Sequence, residues 1–172
     1  MKSEQKEVNL ELRGETEVVL KRYFAAPPQL VFDCHTKPEL MRRWLIGPPG
    51  MTLERLENDL RVGGKYLYVY ADAAGNKAAV YGKFREVIVP EKVTNTENYA
   101  MDLSTFDPNA PEDPNATVES RSFETEGSGT LMTHVVKYAS SEVRKMMLES
   151  GAGPDGMEEC CKVLDKLLLE LR

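Results

Sequence analysis

Seven apolar residues near the C-terminal end, Met157, Cys160, Cys161, Leu164, Leu167, Leu168 and Leu171, are spaced three, one, three, three, one and three apart. That spacing puts all seven on one face of a helix, and Glu158, Glu159, Lys162, Asp165, Lys166, Glu170 and Arg172 mostly take the other. A helix over Asp155 to Arg172 with such a stripe is not stable alone in water, so it must lie on an apolar surface supplied by the rest of the chain. Asp155 with Glu158 has capping-box spacing. Gly151 to Gly156 separates this helix from a shorter one at about Glu142 to Glu149, itself preceded by Ser140-Ser141.

The surface is readable as strands. Val8, Leu10 and Leu12, and then Val18 to Phe24 after Gly14, alternate apolar and polar residues. Met51 to Asn58, Lys65 to Ala71, Ala78 to Val89, Lys92 to Met101, Thr117 to Thr125 and Thr130 to Ala139 follow, separated by turn signals at Gly63-Gly64, Gly75-Asn76, Pro90-Glu91 and Gly127-Ser128-Gly129. Short strands and tight turns predict an antiparallel meander with one face under the last helix. Between the first strands and the meander, Pro28 to about Cys34 reads as a short helix opened by proline. Thr36 with Glu39 then has capping-box spacing for a second one, whose apolar face is Leu40, Met41, Trp44 and Leu45; Gly47-Pro48-Pro49-Gly50 stops it. The segment from Asp102 to Ala116, with three prolines, four acidic residues and neither Lys nor Arg, cannot pair smoothly into a sheet. It reads as a solvated hairpin extension or as a lid.

Composition narrows the function classes. The 172 residues, 41% hydrophobic and 29% charged, suit one compact domain. No apolar run approaches the roughly 20 residues of a membrane span, and the first seven residues carry no apolar signal core, which predicts a cytoplasmic protein that does not enter a membrane. A net charge of -6 argues against nucleic-acid and anionic-membrane partners. Three cysteines, two of them adjacent, and two histidines outside any metal-ligand pattern make neither a disulfide framework nor a metal centre. No cofactor fingerprint is present.

Strand, two short helices, antiparallel strands and a long last helix is the order of the helix-grip fold. Arg22-Tyr-Phe-Ala-Ala-Pro27, Val31-Phe32, Thr36-Lys-Pro-Glu-Leu40, Arg43-Trp44, Asp59-Leu-Arg-Val-Gly-Gly64, Tyr81-Gly-Lys-Phe-Arg-Glu-Val87, Pro90-Glu91-Lys92-Val93 and Gly129-Thr130 occur in the order of a family's landmarks. On them the chain resembles the family similar to the C-terminal domain of the heat-shock protein 90 ATPase activator, within the START-like or SRPBCC superfamily. The resemblance covers Glu17 to Arg172 and leaves residues 1 to 16 as an extension. It implies an α+β fold in which a curved antiparallel sheet wraps a long C-terminal helix. Lys37 stands where the family usually has Asp. The separate N-terminal domain with which the eukaryotic activator contacts its chaperone has no counterpart in those 16 residues, so the resemblance speaks for fold more than for activity.

Folds of this kind often enclose a cavity between helix and sheet, and the candidate ligand contacts are Trp44, Tyr66, Tyr68, Tyr81, Phe84, Met132, His134, Met157, Cys161, Leu164 and Leu168. Tyr66, Tyr68 and Tyr70 share one strand face, Leu67 and Val69 the other; the pattern does not say which faces inward. His134 shares a face with Met132, Val136 and Tyr138, and is the one acid–base candidate or else a structural histidine. His35 is expected to be exposed or capping. Glu54, Glu57 and Asp59, interleaved with Arg55 and Arg61, read as a solvated edge. The leading expectation is a non-catalytic protein, monomer or weak homodimer, that binds a small hydrophobic or amphipathic ligand beneath the last helix. A co-chaperone-like role through the surface, with a chaperone or other protein as partner, is the second, and an aromatase- or cyclase-like enzyme using His134 the third.

Overall fold

The computed structural model describes residues 7–150 and 154–172. Strands β1 (Asn9–Arg13) and β2 (Glu17–Phe24) are followed by helices α1 (Pro28–Thr36) and α2 (Pro38–Met41). Then come β3 (Met51–Asn58), β4 (Lys65–Asp72), β5 (Lys77–Ile88), β6 (Lys92–Ala100), β7 (Thr117–Glu126) and β8 (Gly129–Lys137), and finally α3 (Ser141–Glu149) and α4 (Pro154–Leu171). The eight strands form one antiparallel sheet in the order β1-β2-β8-β7-β6-β5-β4-β3. β3 to β8 are the expected meander, but β2 joins it at the far side by pairing with β8, so α1 and α2 carry the chain across the sheet. The stretch assigned to an extension contributes β1, an edge strand registered on β2 from Asn9↔Lys21 to Arg13↔Glu17.

Strand parity decides what lies under α4. On β2, Phe24 is paired with Thr130 and Arg22 with Met132, and on β7 Phe123 is paired with the same Met132. Phe24, Phe123 and Met132 form a buried cluster with Val31 and Phe32 of α1 and with Cys161, Leu164, Leu167 and Leu168 of α4. Each of these large side chains contributes about 2 kcal/mol by leaving water, which makes this contact the main store of stability. Met157, Cys160 and Leu171 pack against the cluster's edge, so the whole stripe is used. The capping role of Asp155 and the break at Gly151 lie outside the described residues.

One ion cluster sets where the helix sits. Arg22 is 2% exposed. It donates from both Nη atoms to Asp165, at 2.8 Å each, and from Nη2 to Glu158 at 3.0 Å. Burial alone would lower the Arg22 pKa, but the two carboxylates outweigh it and hold the guanidinium charged. Asp165 and Glu158 are seven residues apart, two helical turns, so this single arginine fixes both the rotation and the axial position of α4 on β2. The second oxygen of Glu158 accepts from the Val8 backbone N–H at 2.8 Å, tying the approach to β1 to the same point.

Two local expectations change. The Thr36–Glu39 capping box does not form: α1 runs on through Thr36, whose hydroxyl donates to the Phe32 carbonyl at 2.9 Å, and α2 is a single turn opened by Pro38. A hydroxyl already bonded backwards along α1 cannot cap α2. Ser140, by contrast, caps α3 by accepting from the Val143 N–H at 3.2 Å. The segment 102–116 is neither a strand nor a free loop. After a 3-10 turn (Leu103–Thr105) it folds back over the outer face of the sheet, where the Phe106 ring packs edge-on to Tyr81 at 4.7 Å and the Pro108 carbonyl accepts from Lys65 at 2.7 Å.

Replacing Leu164, fully buried at the centre of the α4 contact, with Ala should cost about 3 kcal/mol with little change in the denaturant m-value. Urea unfolding followed by the single tryptophan measures it; a loss below about 1 kcal/mol would mean that this contact does not anchor the sheet.

Candidate functional site

Beyond the part of the sheet that α4 covers, the inner face continues across β7, β6, β5 and β4 and changes character. Along β7 the inward side chains run Phe123, Arg121, Glu119, from apolar core to charge. Their neighbours on β6 are Val93, Asn95 and Glu97, and on β5 and β4 Phe84, Tyr66 and Tyr68. Together with His35 and Thr36 of α1 and Asn58 of β3 these residues line a cavity of about 30 Å³ that is open to solvent at one side. That space admits one or two water-sized groups; pockets for drug-sized ligands occupy some 300 Å³ or more.

Tyr66 and Tyr68 therefore face inward, with rings 5.0 Å apart, and Leu67 and Val69 outward. Tyr66 stands opposite Gly82, where a Cβ would come within 2.9 Å of its ring and 2.0 Å of the Thr96 carbonyl. Only glycine lets the ring lie across β5, so that its hydroxyl reaches that carbonyl and donates to it at 2.6 Å. Asn95 donates to both the Tyr66 hydroxyl and the Thr96 carbonyl, at 3.2 and 3.1 Å.

The charged groups make one connected cluster. Arg121 donates to Glu119 at 2.9 Å, and the Glu97 and Glu119 carboxyl groups are hydrogen-bonded to each other. Burial pushes Glu97 well above the ordinary carboxylate range, and the negative charge of Glu119 pushes it further. Burial also acts upward on Glu119, but Arg121 and then His134 outweigh it and hold that carboxylate ionised at low pH. Of the two, Glu97 is the carboxyl that gives up its proton less readily, and the Tyr99 hydroxyl also contacts it. His134 is 3% exposed, its Nε2 is 3.4 Å from Glu119, and neither ring nitrogen has a hydrogen-bond partner among the described residues. Desolvation and then Arg121 lower its pKa, so it is neutral at pH 7.

Several sequence expectations are relocated. Tyr81 pairs with Leu67 and so lies on the outer face, where with Phe106 it lines a separate cavity of about 160 Å³ beneath the 102–116 segment. Ionisable groups at that outer cavity stand at the surface, as in the exposed Arg55–Glu57 and Arg85–Glu112 pairs, so no buried charge converges on it. Met157, Cys161, Leu164 and Leu168 belong to the packed core and do not line the inner cavity. Met132 is likewise core. Trp44 is buried beside the cavity, its indole N–H donating to the Cys34 carbonyl at 2.7 Å and its ring 4.9 Å from His35. His35 itself is neither surface nor cap: it lines the cavity between Trp44 and Phe123. Its Nδ1 bonds the Val31 carbonyl at 2.8 Å, which requires the proton on Nδ1 and leaves Nε2 as an acceptor. Burial lowers its pKa to about 3.

Glu97, Glu119, Arg121 and Asn95 were not among the expected site residues. The one sequence signal was parity, since Glu119 and Arg121 alternate with Ser120 and Ser122 and share the face of Phe123. The Glu54 to Arg61 group is the solvated edge expected, with Arg55–Glu57, Arg61–Asp59 and Lys77–Glu54 pairs at the surface. Among the described residues no group of His, Cys, Asp and Glu is placed to hold a metal ion, and no helix is long and apolar enough to cross a membrane.

The two histidines set an acid limit on stability. Both are held neutral when folded and protonate near pH 6.5 when unfolded, so below that pH the unfolded chain binds more protons and the fold loses stability; Glu119 adds to the loss only below the ordinary carboxylate range. Glu97, whose carboxyl is pushed up on folding, works the other way over the same window, so the prediction is a difference: between pH 7 and pH 5 the urea midpoint of His35→Gln should fall less, or rise more, than that of the wild type. An unchanged pH slope in the variant would show that His35 is not held neutral.

A family model described as Activator of Hsp90 ATPase homolog 1-like protein matches residues 25–169. Among solved structures, a Mycobacterium smegmatis protein is 26% identical, with a TM-score of 0.78 over 94% of this chain and 96% of its own. A Nitrosomonas europaea protein is also 26% identical, with a TM-score of 0.76 over 94% and 99%. A Rhodobacter sphaeroides protein at 23% identity shares the fold, with a TM-score of 0.82 over 96% and 100%. No curated protein matches the sequence. With 145 consecutive residues matched, from the end of β2 through most of α4, the chain belongs to the Activator of Hsp90 ATPase homolog 1-like family.

Proposed function

We propose that this protein is a small-molecule receptor that acts by binding, its ligand entering the inner cavity from the open side with a compact polar group against Glu97, Glu119 and Arg121 and its larger part in the mouth. The observation that carries this reading is the convergence of two carboxyls, a guanidinium and the neutral His35 imidazole on one open cavity, with His134 behind them. Buried ionisable groups are costly and are placed where a partner is to be met. The cavity's size refines the ligand. At about 30 Å³ it cannot enclose a large hydrophobic molecule, so of the hydrophobic or amphipathic ligands expected it suits an amphipathic one whose polar end alone is buried.

Binding rather than covalent chemistry is supported by the state of the thiols: Cys34, outside the cavity lining, has its pKa raised to about 11 by burial and Cys161, in the core, to about 12, so neither is a nucleophile at pH 7. The His134–Glu119 pair favours a second reading, acid–base catalysis, since it supplies the carboxylate such a histidine needs. Against it, His134 stands behind Glu119 and Arg121 and does not line the cavity.

Trp44 is the sole tryptophan and touches a cavity residue, so its fluorescence reports occupancy. Native mass spectrometry of protein from its own host should find a retained small molecule in the wild type. Val93→Phe, which grows a cavity-lining side chain into the space, should lose that molecule and the accompanying fluorescence change. Equal retention by Val93→Phe would overturn the site. Stimulation of a purified Hsp90 ATPase by wild type and variant alike, with no molecule retained by either, would favour a role for the surface instead.

A further inference from the structure

The charged groups of the cavity are one cation short. Glu97 and Glu119 are two carboxyls on neighbouring strands, with Arg121 as the only guanidinium at the cavity. The other titratable groups in and behind the cavity wall do not supply the missing charge. From β4 they are the phenols of Tyr66 and Tyr68, from β6 Tyr99 and from the end of β8 Tyr138; from α1 and β8 they are the imidazoles of His35 and His134. The phenols are uncharged at neutral pH as any tyrosine is, and burial holds both imidazoles neutral. His134, almost wholly buried with both nitrogens unpartnered and Nε2 directed at Glu119, is a further sign that the cluster's hydrogen bonding is incomplete as it stands.

Resting on the receptor reading, we infer that the cavity takes the protonated amino group of an amphipathic amine, which sits between Glu97 and the faces of Tyr66 and Tyr68 as the missing cation. The space matches: about 30 Å³ holds a water-sized head group, such as a primary ammonium, and excludes a bulky one. The walls match, because tyrosine rings attract a cation and the Glu97 carboxyl is the oxygen acceptor it needs. An anionic head would have to compete with Glu119 for Arg121 and leave that carboxylate without its counter-charge. In the empty cavity the proton on Glu97 takes the place of the cation, so entry of the ammonium releases that proton to solvent and leaves the site electrically neutral.

The test compares three probes of one shape, phenethylamine, 2-phenylethanol and phenylacetate, by calorimetry and Trp44 fluorescence between pH 5.5 and 8. The amine should bind about tenfold more tightly than the alcohol, with phenylacetate weakest. Its affinity should rise with pH, and calorimetry in buffers of different ionisation enthalpy should show release of about one proton per amine bound. Glu97→Gln should remove the preference for the amine and the proton release while leaving 2-phenylethanol binding in place. Because Gln keeps the hydrogen bond and removes the burdened ionisation, the variant should be at least as stable as the wild type at pH 7, which thermal unfolding checks. An alcohol or phenylacetate that binds as well as the amine, or an amine that binds without proton release or equally well to Glu97→Gln, overturns this inference and leaves the receptor reading standing. Binding of none of the three also overturns it, and retention of a host molecule in native spectra of the wild type then decides the receptor reading separately.

Discussion

A buried arginine decides how this protein is laid out. Arg22 lies on the inner face of β2 beside Phe24, its guanidinium 5.0 Å from the phenyl ring, at a place where a free charge would cost several kcal/mol. Besides a hydrogen bond to the Tyr23 carbonyl, it is α4 that relieves that cost by supplying the counter-charges of Asp165 and Glu158, and it can do so in one register. The helix is therefore pinned to β2, its apolar stripe packs into the core with Phe24, Phe123 and Met132, and none of it lines the cavity between α1 and strands β4 to β7. The inner face there is left to α1 and to polar side chains, and the cavity is the gap that results.

That division explains what could be read in the chain beforehand. The α4 stripe, the eight strands and most of their boundaries follow from periodicity and turn residues, and the landmark residues from Arg22 to Thr130 were enough for the fold. Tyrosine orientation was not readable, because Tyr66, Tyr68 and Tyr70 alternate with residues nearly as apolar, and either set could face a core. Pairing settles it: Tyr66 must stand opposite Gly82, the one residue on β5 over which its ring can lie. His35 was misjudged for a related reason. One turn of α1 separates it from Val31, and the sequence near it offers only a helix end, whereas in the fold Trp44 and Phe123 close over its ring from distant positions.

The charged cluster was the least legible part, since each of its members has an ordinary surface explanation in its own strand. Glu119 next to Arg121 two residues on is what any exposed strand offers, and so is Glu97 before Asn98. Their burial depends on which strands are neighbours and in what register. Asn95 pairs with Glu119 and Glu97 with Thr117, so Glu97 and Glu119 are diagonal neighbours on one face, close enough to share a proton. A slip of one residue in β7 against β6 would carry Glu119, Arg121 and Phe123 together to the outer face.

The same coupling ties the cluster to stability. Phe123 and Arg121 are two residues apart on one strand, so the packing that buries the former under α1 and α4 holds the latter at the cavity wall. The apolar core thus positions the charges, and they in turn oppose folding: Glu97 ionises less readily, and two histidines protonate less readily, than in the unfolded chain. A chain selected only for stability could replace all of them with apolar residues of similar volume. Their grouping in and behind the wall of one open cavity, on four different elements, is what the proposed receptor role asks for and what stability alone does not.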